Sequence, residues 1–180
     1  EFHNVDLDED YRGYAEAVKK RVLMEVCSVS LPQFILPKIY DHPEFENWIA
    51  HYNKELEKNS NDIADSLSKT KGLKVNRTNG AFYMMPLFEE GVLNDKQSLP
   101  IANEAARAYI EDQVNKPGFP LDKRFTYYLL ASTGICVVPA SGFFSPFNGF
   151  RLTTLDRDDA RRKDTYARLS AAIETYIASA

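Results

Sequence analysis

Residues 41–72 carry one apolar stripe at helical spacing, made of Phe45, Trp48, Ile49, Tyr52, Leu56, Ile63 and Leu67. Asp41 with Pro43 just inside marks a start, and Lys69, Lys71 and Gly72 mark an end. A single helix of roughly 28 residues would span about 42 Å at ~1.5 Å per residue. That is more than a small core needs, so the stripe predicts an element bridging two parts of a larger structure. Ahead of it, residues 10–29 predict an amphipathic helix, with Tyr14, Val18, Val22 and Val26 at four-residue spacing. Pro32 and Pro37 are expected to break helical structure, leaving the apolar residues 30–40 as an ordered connecting loop.

Downstream, residues 74–87 turn to strand formers around Val75 and Phe82 to Met85. Ser98 with Pro100 opens a helix to about Asn115, and Pro117-Gly118 breaks the chain. Asp122 is expected to cap a helix that runs to Thr133 and stops at Gly134. Short apolar strands follow at 135–139 and 150–155, flanking a loop of Gly, Ser, Pro and Asn. Asp156 with Asp159 resembles a capping box for a last helix whose core face is Tyr166, Leu169, Ile173 and Ile177. The predicted fold class is α/β, a short three-stranded sheet covered by long helices, with little room for parallel crossovers.

The 22 basic and 26 acidic residues are interspersed and net to −4, which argues against a nucleic-acid partner. No apolar run approaches the ~20 residues of a membrane-spanning helix, so a soluble intracellular protein with no membrane partner is expected. Cys27 and Cys136, both in apolar surroundings, are expected to be small buried thiols. His3, His42 and His51 lack metal spacing and read as structural, so no metal is expected.

The chain has no Gly-rich phosphate loop before a helix, no nucleophile elbow and no paired histidines on a helix. Its strongest chemical feature is Arg151, inside the apolar strand Gly149-Phe150-Arg151-Leu152-Thr153-Thr154-Leu155. A permanently charged guanidinium there needs an anion across its planar fork. Two partners are open: an internal acid, or the carboxylate of a substrate.

The run Leu129-Leu130-Ala131-Ser132-Thr133-Gly134-Ile135-Cys136-Val137-Val138-Pro139-Ala140-Ser141-Gly142-Phe143, followed by Phe150-Arg151-Leu152-Thr153, resembles the C-terminal signature of class I/II aminotransferases, in particular the alanine aminotransferase branch. Asn79-Gly80-Ala81-Phe82-Tyr83 resembles that family's Gly-Ala-Phe/Met-Tyr strand, and Glu1-Phe2-His3-Asn4-Val5-Asp6 resembles the segment after its cofactor lysine. Ala140, where the branch usually has glycine, and the unmatched loop 144–148 depart from the pattern and leave the preferred substrate open.

The resemblance implies a fold type I enzyme in which pyridoxal 5'-phosphate, held on a lysine, serves amino transfer between an amino acid and a 2-oxo acid, alanine and 2-oxoglutarate being favoured. It assigns Arg151 to the substrate α-carboxylate. The family's cofactor lysine, its aspartate partner of the pyridine nitrogen and its phosphate loop would all lie before Glu1, and Lys38 and Lys123 lack the lysine's context. The chain therefore resembles a fragment, inactive by itself: 1–40 the tail of the large cofactor domain, 41–72 the interdomain helix, 73–180 the small C-terminal domain, from a cytoplasmic homodimer. Another fold type I enzyme, such as a lyase or synthase, and a non-catalytic interaction or dimerisation module are the alternatives.

Overall fold

The computed structural model describes residues 9–25 and 29–180. Glu1 to Asp6, with His3, and the pair Val26 and Cys27 lie outside the described residues, and with them the expectations placed there. The chain divides into two compact units, residues 1–49 and 50–180, and the division falls inside a helix.

The first unit contains α1 (Glu9–Leu23), α2 (Ser30–Tyr40) and the start of α3 (Phe45–Leu67). In α1 the small Ala15 is buried, whereas Tyr14 and Val22 of the expected apolar stripe are 60% and 58% exposed. The loop expected at 30–40 is a helix. Pro32 stands in its first turn, where backbone N–H groups have no helical acceptor, so it removes no hydrogen bond. Pro37 lies inside, and the helix tolerates the one N–H it lacks. The long helix is also shorter than expected: α3 has 23 residues and starts at Phe45 rather than Asp41. Asp41 to Glu44 instead make a turn, in which the Glu44 N–H donates to His42 Nδ1 at 3.2 Å.

The second unit carries the sheets. The single strand expected at 74–87 is three short ones, β1 (Leu73–Lys74), β2 (Tyr83–Met84) and β3 (Leu87–Phe88); Pro86, which cannot donate to a ladder, stands between β2 and β3. Then come α4 (Glu104–Val114), α5 (Leu121–Thr133), β4 (Val138–Pro139), a 3₁₀ turn over Ala140–Phe143, β5 (Phe150–Thr153) and α6 (Asp159–Ala178). β2, β5 and β4 form the expected three-stranded sheet, with β5 central and both pairings antiparallel. β1 and β3 pair separately, Leu73 opposite Phe88.

The helix caps differ from those expected. α4 begins at Glu104, its first turn capped by Asn103, whose Oδ1 accepts the Ala106 N–H, rather than by Ser98. α5 starts behind Pro120, so Asp122 lies within its first turn and is free to bond elsewhere. α6 is capped by Asp158, which accepts the Arg161 N–H at 2.9 Å, rather than by Asp156. Gly134 does end α5, in the left-handed conformation (φ 76°) that costs glycine least.

The core joins the sheet to α5 and α6 through an aromatic cluster. Phe125 lies 5.1 Å from Phe88, 5.7 Å from Phe150 and 5.2 Å from Tyr176, ring centre to ring centre. Leu67, Leu129 and Ile173 close it, each at 0% exposure. Fully burying side chains of this size stabilises by about 1.5–3 kcal/mol each, so β5 is clamped from its inner face. No described helix is long and apolar enough to cross a membrane.

Candidate functional site

Strand alternation places the site. Phe150 and Leu152 of β5 are buried on the core side, so Arg151 and Thr153, which alternate with them, face outward. A close approach holds this register: a Cβ on Gly149 would meet Pro86 O at 2.6 Å and Leu87 Cδ2 at 2.7 Å. Only glycine lets the chain enter β5 there, where the Phe150 N–H donates to Pro86 O at 3.0 Å.

Each strand beside β5 leads to one aromatic ring. Tyr83 of β2 has its ring centre 4.4 Å from the Arg151 guanidinium carbon, and Phe143, from the turn after β4, has its own at 4.6 Å. The turn bearing Phe143 is tied down from beneath by the buried Asp122 carboxylate, whose Oδ2 accepts the Ser141 N–H at 2.7 Å while Oδ1 accepts that of Lys123 at 2.7 Å. Cation–π contacts of this kind stabilise by roughly 0.5–2 kcal/mol each and occupy ring faces without using N–H donors.

Arg151 shares a cleft of about 440 Å³ with two other arginines, between the β4–β5 edge and α6; Cys136, Val138, Thr153 and Tyr166 also line it. Arg162, 1% exposed, donates to Asp159 Oδ1 at 2.7 Å, Asp62 Oδ2 at 3.0 Å and Asp156 O at 2.9 Å. Arg168 donates to Thr133 O at 2.7 Å and stands 3.6 Å from Asp164. Arg151 makes no ion pair with any acid among the described residues, unlike the cleft's other two arginines.

Tyr166 and Asp156 of the cleft each keep one protonation state near neutrality. Tyr166, donating to Thr153 O at 3.0 Å, is pushed up to about 12, first by burial and then by the charge of Asp156. Asp156 is held down at about 2, first by hydrogen bonds from the Arg161 side chain and then by the Asp158 N–H. Cys136 is exposed on the cleft wall, correcting the expected buried thiol: the stretch after α5 has an open side that local apolar composition does not reveal. His42 and His51 lie outside the cleft, and no cluster with metal-ligand character occurs among the described residues.

No lysine lines the cleft. Lys123 Nζ lies over the rings of Phe119 at 5.2 Å and Tyr127 at 5.8 Å, and Lys38 is exposed on α2. The role of Arg162 was foreshadowed by its i,i+3 spacing from Asp159, a signal the sequence reading passed over. A second buried arginine, Arg124, was also missed; it donates to the carbonyls of Gln97 and Val114, both at 3.0 Å, partners that only the fold brings together.

No family model matches the chain. An uncharacterized aminotransferase of Methanocaldococcus jannaschii is 41% identical over 177 residues, 98% of this chain and 40% of that protein. The mitochondrial alanine aminotransferase 1 of Arabidopsis thaliana is 28% identical over 154 residues, 80% of this chain and 25% of that protein. The crystal structure of an aspartate aminotransferase from Rhizobium meliloti superposes with a TM-score of 0.50 at 25% identity, covering 68% of this chain and 26% of its own. The chain thus spans less than half the length of each protein it resembles.

Proposed function

We propose that this chain, a homologue of fold type I aminotransferases aligned over 177 residues with one of them, is the C-terminal portion of a pyridoxal-phosphate enzyme that moves an amino group between an amino acid and a 2-oxo acid. The observation that carries the proposal is the free fork of Arg151, ring-supported and without an acid partner among the described residues. Its parallel N–H donors match both oxygens of an α-carboxylate. Alanine and 2-oxoglutarate are the favoured pair, supported by the alanine aminotransferase relative.

In this reading Arg151 binds the carboxylate and fixes the direction of the substrate's Cα–H bond, converting binding energy into orientation. Arg162 and Arg168, already paired, hold the cleft wall and do not compete for the anion. Tyr166 stays protonated and ties the end of β5 to α6. Pyridoxal phosphate, when bound, supplies the sink for the electrons released as the Cα proton leaves. The chain's contribution is the carboxylate clamp; the reading assigns the cofactor's lysine to another part of the complete protein. It also takes 1–40 as the end of the cofactor domain, 41–72 as the interdomain helix and 73–180 as the small domain, in a cytoplasmic homodimer.

The test is product analysis on the complete protein with added cofactor. L-alanine and 2-oxoglutarate should yield pyruvate and glutamate in equal amounts. Failure to transfer an amino group from alanine or from any other amino acid would overturn the proposal.

A further inference from the structure

We infer that Tyr83 and Phe143 are positioning residues for the substrate carboxylate, holding the Arg151 guanidinium in one plane before substrate arrives. The inference rests on the carboxylate-binding reading of Arg151. A guanidinium with no acid partner would ordinarily sweep through several rotamers, and each binding event would have to arrest it. Here it lies within 4.4 Å and 4.6 Å of two ring centres contributed from the two sides of the central strand. The guanidinium carbon lies over both rings, and neither ring neutralises its charge, which an acidic partner would do.

The backbone beside both rings adds a second observation. Among the described residues two that are not glycine have positive φ: Ala81 at 58°, two positions before Tyr83, and Phe144 at 57°, directly after Phe143. Side chains with a Cβ are strained in this region, and such strain persists where surrounding structure holds a particular geometry. Phe144 itself is 98% exposed, so the strain does not serve to bury its own ring. At both places the left-handed residue turns the chain beside an aromatic that lies over Arg151, and at Phe144 it also closes the 3₁₀ turn, its N–H donating to Ser141 O at 3.1 Å.

In the complete enzyme, Tyr83→Leu and Phe143→Leu should each raise KM for the amino acid about tenfold with a smaller change in kcat, and Tyr83→Phe and Phe143→Tyr should restore it, since the ring face is what acts. Nitrogen-15 NMR of the wild-type chain should show separate Arg151 Nη resonances, the mark of restricted rotation, merging in the leucine variants. If those variants fold poorly, the wild-type spectrum decides. Averaged wild-type resonances, or leucine variants with unchanged KM, would overturn the inference. Normal kinetics in Arg151→Lys would instead overturn the carboxylate reading beneath it, and the spectra would still report whether the rings restrain the guanidinium.

Discussion

Arg151 and Arg162 stand eleven positions apart and use the same charge differently. Arg162 is buried against Asp62 and Asp159, so Arg162→Met should leave Asp62 without its cation while Asp159 keeps Lys58. Because Asp62 is partly solvated, the loss should fall well below the ~3–5 kcal/mol of a fully buried pair, readable in denaturant unfolding. Acid should act on the same network. Asp156 and Asp159 are depressed from 3.8 to about 2, the former mainly by Arg161 and the latter mainly by Lys58 and then Arg162. A depressed folded-state value means that their stabilisation is fully present above ~pH 4 and is lost as pH falls through about 2. Arg161→Ala should therefore flatten the stability curve between those limits, and an unchanged curve would refute the assignment. Arg151 stood out in the sequence as a cation that nothing in its own strand could neutralise. Its rings did not, since Tyr83 and Phe143 reach it only through the strand order β2-β5-β4.

At the scale of elements, the helices were legible wherever glycine stopped them or an apolar stripe ran through them, as in α5 and α6. Asp122 was misread as a cap because its carboxylate is engaged by Ser141, 19 residues away, a demand no local rule contains. Residues 30–40 were misread for a different reason: proline breaks a helix interior but fits its first turn, and the position of Pro32 depends on where the helix starts. Leu31, Phe34, Ile35, Leu36 and Ile39 of α2 are 42–72% exposed, a surface that isolated helices seldom keep in water. Hydrogen exchange should show stronger protection of α2 in the complete protein than in this chain, and equal protection would refute a covered role. Gly149→Ala would press a methyl against Pro86 O and Leu87, costing about 2 kcal/mol of overpacking and shifting β5. A melting temperature equal to that of wild type would show the approach to be looser than the contacts imply.

Across the whole molecule, the three-stranded sheet and its covering helices followed from residue pattern, whereas the division at residues 49 and 50 cuts through α3 and has no breaker in the sequence to mark it. The proposed function rests on motif resemblance more than on any one residue's chemistry, because the cleft's character depends on which arginines find acids. If the cofactor's lysine belongs to another part of the complete protein, incubating the 180-residue chain with pyridoxal phosphate and fixing with borohydride should leave no stoichiometric adduct on any one lysine. A unique, fully labelled lysine would contradict that. The central proposal, that Arg151 binds the substrate carboxylate, is tested most directly by Arg151→Lys in the complete protein, with steady-state kinetics and melting temperature measured on one preparation. Lysine keeps the charge but loses the paired donors, so kcat/KM should fall about a hundredfold, ~2.7 kcal/mol, with the melting temperature nearly unchanged. Normal kinetics with a lowered melting temperature would contradict the account and make Arg151 a structural residue.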